Sequence, residues 1–313
     1  MKYRKITERL DDKICLTDGG LETELVFDHG IDLPAFASFT MFERPDGESI
    51  FLNYLQPYID LAEEKGFAFQ LVDSGWRANS DWGRKLGLNA DQLEAIIRRS
   101  GEMMVKIREK NETPDSPMPI VGCIGPRGDG YVPGEKMSVD EAMSYHHAQI
   151  RILADTEADS ITAMTLNYPE EAIGIIEAAR DNRMPVMISF TVETDGRLPG
   201  GETLRDAIAR CDAASGSYAT GYMINCAHPS HFREQLAEDG PELTRIKGIR
   251  ANASRRSHEE LDNSTELDRG NPAELGAEME ALMKLLPNLQ VVGGCCGTGI
   301  AHVKAIAEQC SVR

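Results

Sequence analysis

The chain has 313 residues, 41% hydrophobic and 27% charged, with 51 acidic against 33 basic side chains and a formal net charge of −18. That surplus of anions argues against nucleic acid, whose phosphates need Lys and Arg contacts, and against an anionic membrane surface. No stretch approaches about 18 uninterrupted apolar residues, the opening MKYRKITERLDDK has no apolar run of a secretory signal, and seven cysteines do not suit a disulfide framework, so a reducing cytoplasm is predicted.

In chain order, short runs rich in β-branched residues predict strands at 14–17, 67–72, 119–123, 160–164, 186–190, 221–225, 246–251 and 289–292. Amphipathic stretches predict helices at 48–64, 90–110, 139–156, 170–182, 203–213, 272–286 and 300–309. Alternation of this kind demands a parallel sheet, because each crossover helix returns the chain to the same edge. Eight strands in a chain of this length predict one α/β domain over 1–313, a single (β/α)8 TIM barrel rather than an open doubly wound sheet. Asp18-Gly19-Gly20 also lacks the third glycine of a dinucleotide fingerprint. The stretches 111–119 and 252–270 read as loops, the second long and polar.

In a barrel, the residues just past each strand share one mouth. Here they are Asp18, Asp73-Ser74, Gly125-Pro126, Thr165, Thr191, Cys226, Asn252 and Cys295-Cys296. The most informative run is Gly293-Gly294-Cys295-Cys296-Gly297-Thr298-Gly299. Adjacent cysteines on a strand point to opposite faces, so convergence needs an unusual backbone, which flanking glycines at positive φ would permit. Asn225-Cys226, at the end of the sixth predicted strand, lies two units away round the ring. Three thiolates from two strand ends would give Zn2+ three protein ligands and one open position, the signature of a catalytic rather than a structural site. A thiol entering that position would be held as a thiolate at neutral pH. A lone cysteine reads more simply as a small buried residue, and Cys15, Cys123, Cys211 and Cys310 are read so, with Cys123 alone near the mouth.

Taken together, the segments Asp18-Gly19-Gly20-Leu21-Glu22-Thr23-Glu24-Leu25, Gly122-Cys123-Ile124-Gly125-Pro126, Asn225-Cys226 and Gly293–Gly299 resemble the homocysteine S-methyltransferase family. The likeness runs from about Leu16 to Ile306. It implies a zinc-dependent barrel with Cys226, Cys295 and Cys296 as ligands. It also implies that Asp18 holds the amino group of homocysteine, with Gly19 and Gly20 leaving backbone N–H groups for a carboxylate; from the residues alone, Asp18 could equally cap a helix starting near Leu21. Asn252 matches a family asparagine that orients loops or substrate, and Asn225 and Thr165 stand beside the site.

One position departs from the family pattern. Where relatives carry a Glu-Thr pair after the fourth strand, this chain has Met164-Thr165. A carboxylate that would contact the amino-acid part of the substrate is therefore missing, and Glu170 and Glu171 lie too far into the next helix to replace it. In the segment after the second strand, Trp76 offers an aromatic face for a sulfonium or quaternary ammonium donor, Trp82 reads as packing, and Arg77 suits a carboxylate on the donor. His228 and His231 have metal-ligand spacing but are not needed beside three thiolates, and Arg255-Arg256 reads as a solvated pair.

The function so predicted is zinc-dependent transfer of a methyl group from a sulfonium or quaternary ammonium donor to a small-molecule thiol, by default homocysteine to give methionine. Alternatives are demethylation of a betaine-like compound with another thiol or a corrinoid protein as acceptor, and a non-catalytic zinc-binding barrel. No nucleic-acid or membrane partner is expected, and the sequence is compatible with a homo-oligomer.

Overall fold

The computed structural model describes residues 2–4, 13–237 and 240–310; most of the opening segment read above for a signal lies outside them. Among the described residues, nine strands form one parallel sheet: β1 (Cys15–Leu16), β2 (Ala68–Phe69), β3 (Leu71–Val72), β4 (Ile120–Ile124), β5 (Ser160–Leu166), β6 (Val186–Phe190), β7 (Gly221–Ala227), β8 (Ile246–Ala251) and β9 (Val291–Gly294). Their order is β2-β1-β9-β8-β7-β6-β5-β4-β3. The two ends of that order, β2 and β3, are separated in the chain by Gln70 alone. Successive N–H groups there alternate between edges: Ala68 and Gln70 donate to Ile14 and Leu16, Phe69 and Leu71 to Pro117 and Pro119. The predicted second strand thus serves both edges at once, and the eight predicted strands close into a (β/α)8 barrel.

The helices are α1 (Leu21–Phe27), α2 (Gly47–Lys65), α3 (Ser80–Lys85), α4 (Ala90–Asn111), α5 (Val139–Ala154), α6 (Pro169–Asp181), α7 (Leu204–Ser215), α8 (Pro229–Leu236), α9 (His258–Asp262), α10 (Pro272–Leu285) and α11 (Ile300–Cys310). Their ends are set by local chemistry. Asn89 with Gln92 and Ser138 with Glu141 form reciprocal capping boxes that start α4 and α5, and Gly66 closes α2 in the left-handed region at φ 68°. The long loop predicted at 252–270 contains the short α9, started by a Ser257–Glu260 capping box.

Most apolar burial lies between the strands and the outer helices. A second, smaller cluster of Cys15, Ala68, Met223 and Val291, with Met187 packed on it, plugs the barrel interior. Cys15 pairs in register with both Ala68 and Val291, and Val291 with Gly248, so this is one layer of the ring. A side chain at Gly248 would meet Met223 Cε at 2.6 Å. The plug closes the barrel near the strand starts and leaves the other end to a cavity.

Candidate active site

The cavity at the C-terminal ends of the strands has a volume of about 500 Å3 and is lined by every predicted site residue: Asp18, Gly19, Gly20, Trp76, Thr165, Asn225, Cys226, Asn252, Cys295 and Cys296. Within it, Cys226, Cys295 and Cys296 bring their sulfurs within 4.8 Å of one another, the only such cluster of three or more ligand-type side chains among the described residues. Cys226 and Cys295 are in disulfide contact with Cα atoms 5.5 Å apart, and Cys226 Sγ lies 3.8 Å from Cys296 Sγ. A tetrahedral zinc at 2.3 Å from each thiolate sets its sulfurs about 3.8 Å apart. The donor set fits such an ion in its reduced form.

The backbone that converges these thiols uses its flanking glycines in two ways. Cys295 and Cys296 lie just past β9, in a turn closed by the Thr298 N–H donating to the Cys295 carbonyl at 3.1 Å. The positive φ falls on Gly297, at 77°. Gly293 and Gly294 act instead by leaving room: a Cβ would lie 2.0 Å from Thr17 Oγ1 and 1.9 Å from Thr298 Oγ1, respectively.

On the other side, Cys226 itself takes φ 54°, and Thr165 takes φ 62°. Both sit at register shifts, Asn225/Ala227 on the β7–β8 ladder and Ala163/Leu166 on β5–β6, and bulges of this kind re-aim side chains at a barrel rim. Asn225 links the two. Its Oδ1 accepts from the Thr165 N–H at 2.8 Å and from Ser189 Oγ at 2.6 Å, and its Nδ2 donates to Thr165 Oγ1 at 2.9 Å. The Cys226 carbonyl accepts from His258 Nε2 at 2.6 Å, and the His258 ring packs 4.1 Å from that of Tyr131. Burial, followed by the neighbouring Cys296, pushes the Tyr131 hydroxyl well above its ordinary range. Burial, followed by the Glu22 carboxylate, pushes the Cys296 thiol up to about 11.

Asp18 is buried and already engaged. Arg250 Nη2 donates to its Oδ1 at 2.6 Å and Tyr54 Oη donates to its Oδ2 at 3.0 Å. It does not cap α1, whose N-cap is Gly20 with no side-chain bond. The expectation of free N–H groups at both glycines needs correction: Gly20 gives its N–H to the Thr298 carbonyl at 3.0 Å. Met164 lines the cavity where a carboxylate was missed. Glu22, on α1, also lines it, accepting from Ser38 Oγ at 2.8 Å, and burial raises its pKa.

Trp76 does not offer an open aromatic box. The Arg77 guanidinium lies 4.2 Å from its ring centroid and 4.0 Å from that of Trp82. Asn252 keeps its Oδ1 buried without a hydrogen-bond partner. His228 and His231 stay outside the cavity: His228 Nδ1 pairs with Ser230, His231 Nε2 with the Arg255 carbonyl. Arg255 and Arg256 pair with Glu278 and Asp268, and Glu171 with His146. The residues that sequence reasoning missed are Arg250, Glu22, Tyr131, His258 and Tyr54. Arg250 had a signal, a cation at the mouth end of a predicted strand that carries only one other charge, Lys247.

A family model for homocysteine S-methyltransferase matches residues 15–310. The chain belongs to the homocysteine S-methyltransferase family. Homocysteine S-methyltransferase 1 of Brassica oleracea var. italica is 24% identical over 318 residues, covering 94% of this chain and 92% of that protein. Selenocysteine Se-methyltransferase of the same plant is 22% identical, covering 94% and 88%. The metallated form of the homocysteine methyltransferase MmuM from Escherichia coli shares the fold, with a TM-score of 0.73 at 20% identity over 97% of this chain and 99% of that one. This homocysteine S-methyltransferase family member is thus a methyltransferase built on a barrel. No helix among the described residues is long and apolar enough to cross a membrane.

Proposed function

We propose that this chain is a zinc-dependent S-methyltransferase that moves a methyl group from a sulfonium or quaternary ammonium donor to a small thiol, by default homocysteine. The observation that carries the reading is the cluster of Cys226, Cys295 and Cys296 at the floor of the mouth. In this reading the three cysteines hold the ion, and zinc bound there supplies a Lewis acid that lets an incoming thiol lose its proton at neutral pH.

The remaining steps fall to the protein. Asn225 and Thr165 fix the strand ends that present Cys226. Asn252 lines the cavity and keeps a buried Oδ1 without a partner, which suits it to orient the loop or substrate beside it. The thiolate sulfur attacks the methyl carbon in line, a new C–S bond forms, and the bond from that carbon to the donor's onium atom breaks with its electron pair. The donor departs neutral, so no general base is needed at the transfer step. Holding the two substrates in line supplies the rate.

The family match over 15–310 supports reading 1–313 as one domain, and a reducing cytoplasm is the compartment that would keep its three clustered thiols free for a metal. A second reading has a specific observation behind it. Met164 removes one amino-group ligand and Arg250 occupies the other, Asp18, which favours a thiol other than homocysteine, or a corrinoid protein, as acceptor. Zinc analysis followed by a donor-by-acceptor screen read by mass spectrometry tests both. Methionine formed from homocysteine supports the first reading; zinc retained in full by both Cys295→Ser and Cys296→Ser overturns the metal assignment.

A further inference from the structure

The cavity holds one carboxylate more than its own cations and N–H groups account for. Asp18 is met by Arg250 and Tyr54, and Asp73 by the Gly75 and Cys123 N–H groups. Asp129 accepts from the N–H groups of Tyr131 and Val132, and Asp268 from Ser254 Oγ and the Gly270 N–H. Asp262 and Glu266 are exposed.

Glu22 is different. It is partly buried and lines the cavity. Besides its own backbone N–H, its carboxylate takes a hydrogen bond only from the neutral Ser38 hydroxyl, to Oε1 at 2.8 Å, and among the described residues no Arg, Lys or His forms an ion pair with it. A carboxylate withdrawn from water is normally paired, because burial penalises its charged form. Glu22 therefore stands ready for a cation that a ligand brings.

Position indicates which ligand. Glu22 belongs to α1, which follows β1, and β1 lies beside β9 in the ring. The start of α1 rests on the turn that carries Cys295 and Cys296: the Gly297 N–H donates to Thr23 Oγ1 at 3.2 Å, and a Cβ on Gly20 would lie 3.1 Å from Cys296 Cα. Glu22 is near enough to Cys296 for its charge to be, after burial, the next cause that raises that thiol. Met164, on β5, stands two strands beyond β7 on the other side of the cysteines. With the acceptor sulfur at the cysteines, a cationic group a few bonds from it comes up against the start of α1. The ring lacks one carboxylate at 164 and carries one unpaired at 22.

We propose that Glu22 sets acceptor specificity by binding the ammonium group of an amino thiol, supplying from α1 the carboxylate that Met164 leaves out. An acceptor without that group leaves Glu22 unpaired. A site built around a charge-assisted hydrogen bond to a substrate N–H rejects the analogue that lacks it. The acceptor is then an amino thiol rather than a simple thiol or a corrinoid. This inference rests on the methyl-transfer reading for the placement of the sulfur, but its binding test needs no transfer.

The test is a calorimetric titration of the zinc-loaded full chain, without donor, by homocysteine and by 4-mercaptobutanoate, which lacks only the amino group. The parent should bind homocysteine more tightly. Glu22→Gln keeps an oxygen for Ser38 but loses the charge; it should cut that preference about tenfold, the scale of one charge-assisted hydrogen bond, through homocysteine alone. Ser38→Ala, which removes the loop contact and leaves the carboxylate, should keep the preference. Glu22→Gln/Met164→Glu should regain part of it. Steady-state kinetics should repeat the pattern in KM for homocysteine rather than in kcat. Equal affinity of the parent for the two thiols overturns the proposal. So does a loss in Glu22→Gln shared equally by both, the mark of a merely structural role. If the parent shows the preference but transfers methyl from no donor, the site stands and the methyl-transfer reading falls. If transfer proceeds and Glu22→Gln keeps the parental preference, this inference falls and the reading stands.

Discussion

Arg250 and Asp18, 232 positions apart in the chain, meet at 2.6 Å in the floor of the cavity. The guanidinium also donates through Nε to the Gly294 carbonyl at 2.9 Å and through Nη2 to that of Gly19 at 3.1 Å. Both charged side chains are at most 10% exposed. Breaking a buried pair strands the surviving charge, at a cost of about 3–5 kcal/mol. Arg250→Leu should therefore lower the urea midpoint sharply. The double variant Asp18→Asn/Arg250→Leu should recover part of the loss, a coupling that a double-mutant cycle measures. Additive losses would mean that the pair contributes no interaction of its own.

Metal content should track each of the three cysteines separately. Under reducing conditions, Cys226→Ser, Cys295→Ser and Cys296→Ser should each fall from stoichiometric zinc to a small fraction, by elemental analysis. Cys211→Ser should retain zinc, because Cys211 is buried in the apolar layer outside the sheet.

Asn225 should matter twice. Asn225→Ala leaves the Thr165 N–H and Ser189 Oγ without their buried acceptor, so stability should drop by about 1–3 kcal/mol. The same change frees the bulge that presents Cys226. Zinc affinity, read by competition with a chelator, should fall about 10–100-fold, while a purely structural role would leave affinity in the folded fraction at the parental value.

Met164→Glu should restore recognition of an amino group. The measurement is the ratio of kcat/KM for homocysteine over 4-mercaptobutanoate, its deaminated counterpart. We expect that ratio to rise by about tenfold, the scale of one charge-assisted hydrogen bond. A ratio that stays at the parental value would mean that ammonium recognition does not pass through this position.

Asp73 gives a pH dependence with a defined sign. Burial raises its pKa from 3.8 to about 7, with the Cys123 and Gly75 N–H groups opposing the shift. The folded state therefore binds more protons than the unfolded state between those values. Its contribution to stability is greatest when both forms are protonated, falls as pH rises from about 4 to about 7, and is flat above. Asp73→Asn, whose Oδ1 can still accept both N–H groups, should gain in melting temperature relative to the parent as pH goes from about 5 to about 8. A difference independent of pH would place the titration elsewhere.

The barrel was legible because its signals are local. Short apolar runs rich in β-branched residues and the amphipathic stretches between them are each set within a few residues. The division of the second strand was not, because it depends on hydrogen bonding by Gln70 and its neighbours to both ends of the sheet. The cysteines were legible from the Gly-Gly-Cys-Cys-Gly run, although its glycines act mainly by leaving space for Thr17 and Thr298. Positive φ at Thr165 and Cys226 had no sequence signal, since neither is a residue that favours it. The clasp of Arg250 on Asp18 was equally hidden, because it joins β8 to β1 across the whole length of the chain.

Ring closure has a consequence for biosynthesis. β9 docks on β1 through Cys15↔Val291 and Leu16↔Val292, and two of the three thiols come immediately after it. The binding site does not exist in any partial product of translation, however far the first seven crossovers have progressed. With zinc held by these three thiols as proposed, its uptake would be the last step of maturation, and the zinc content of a preparation would count the molecules in which the first strand and the last have found each other.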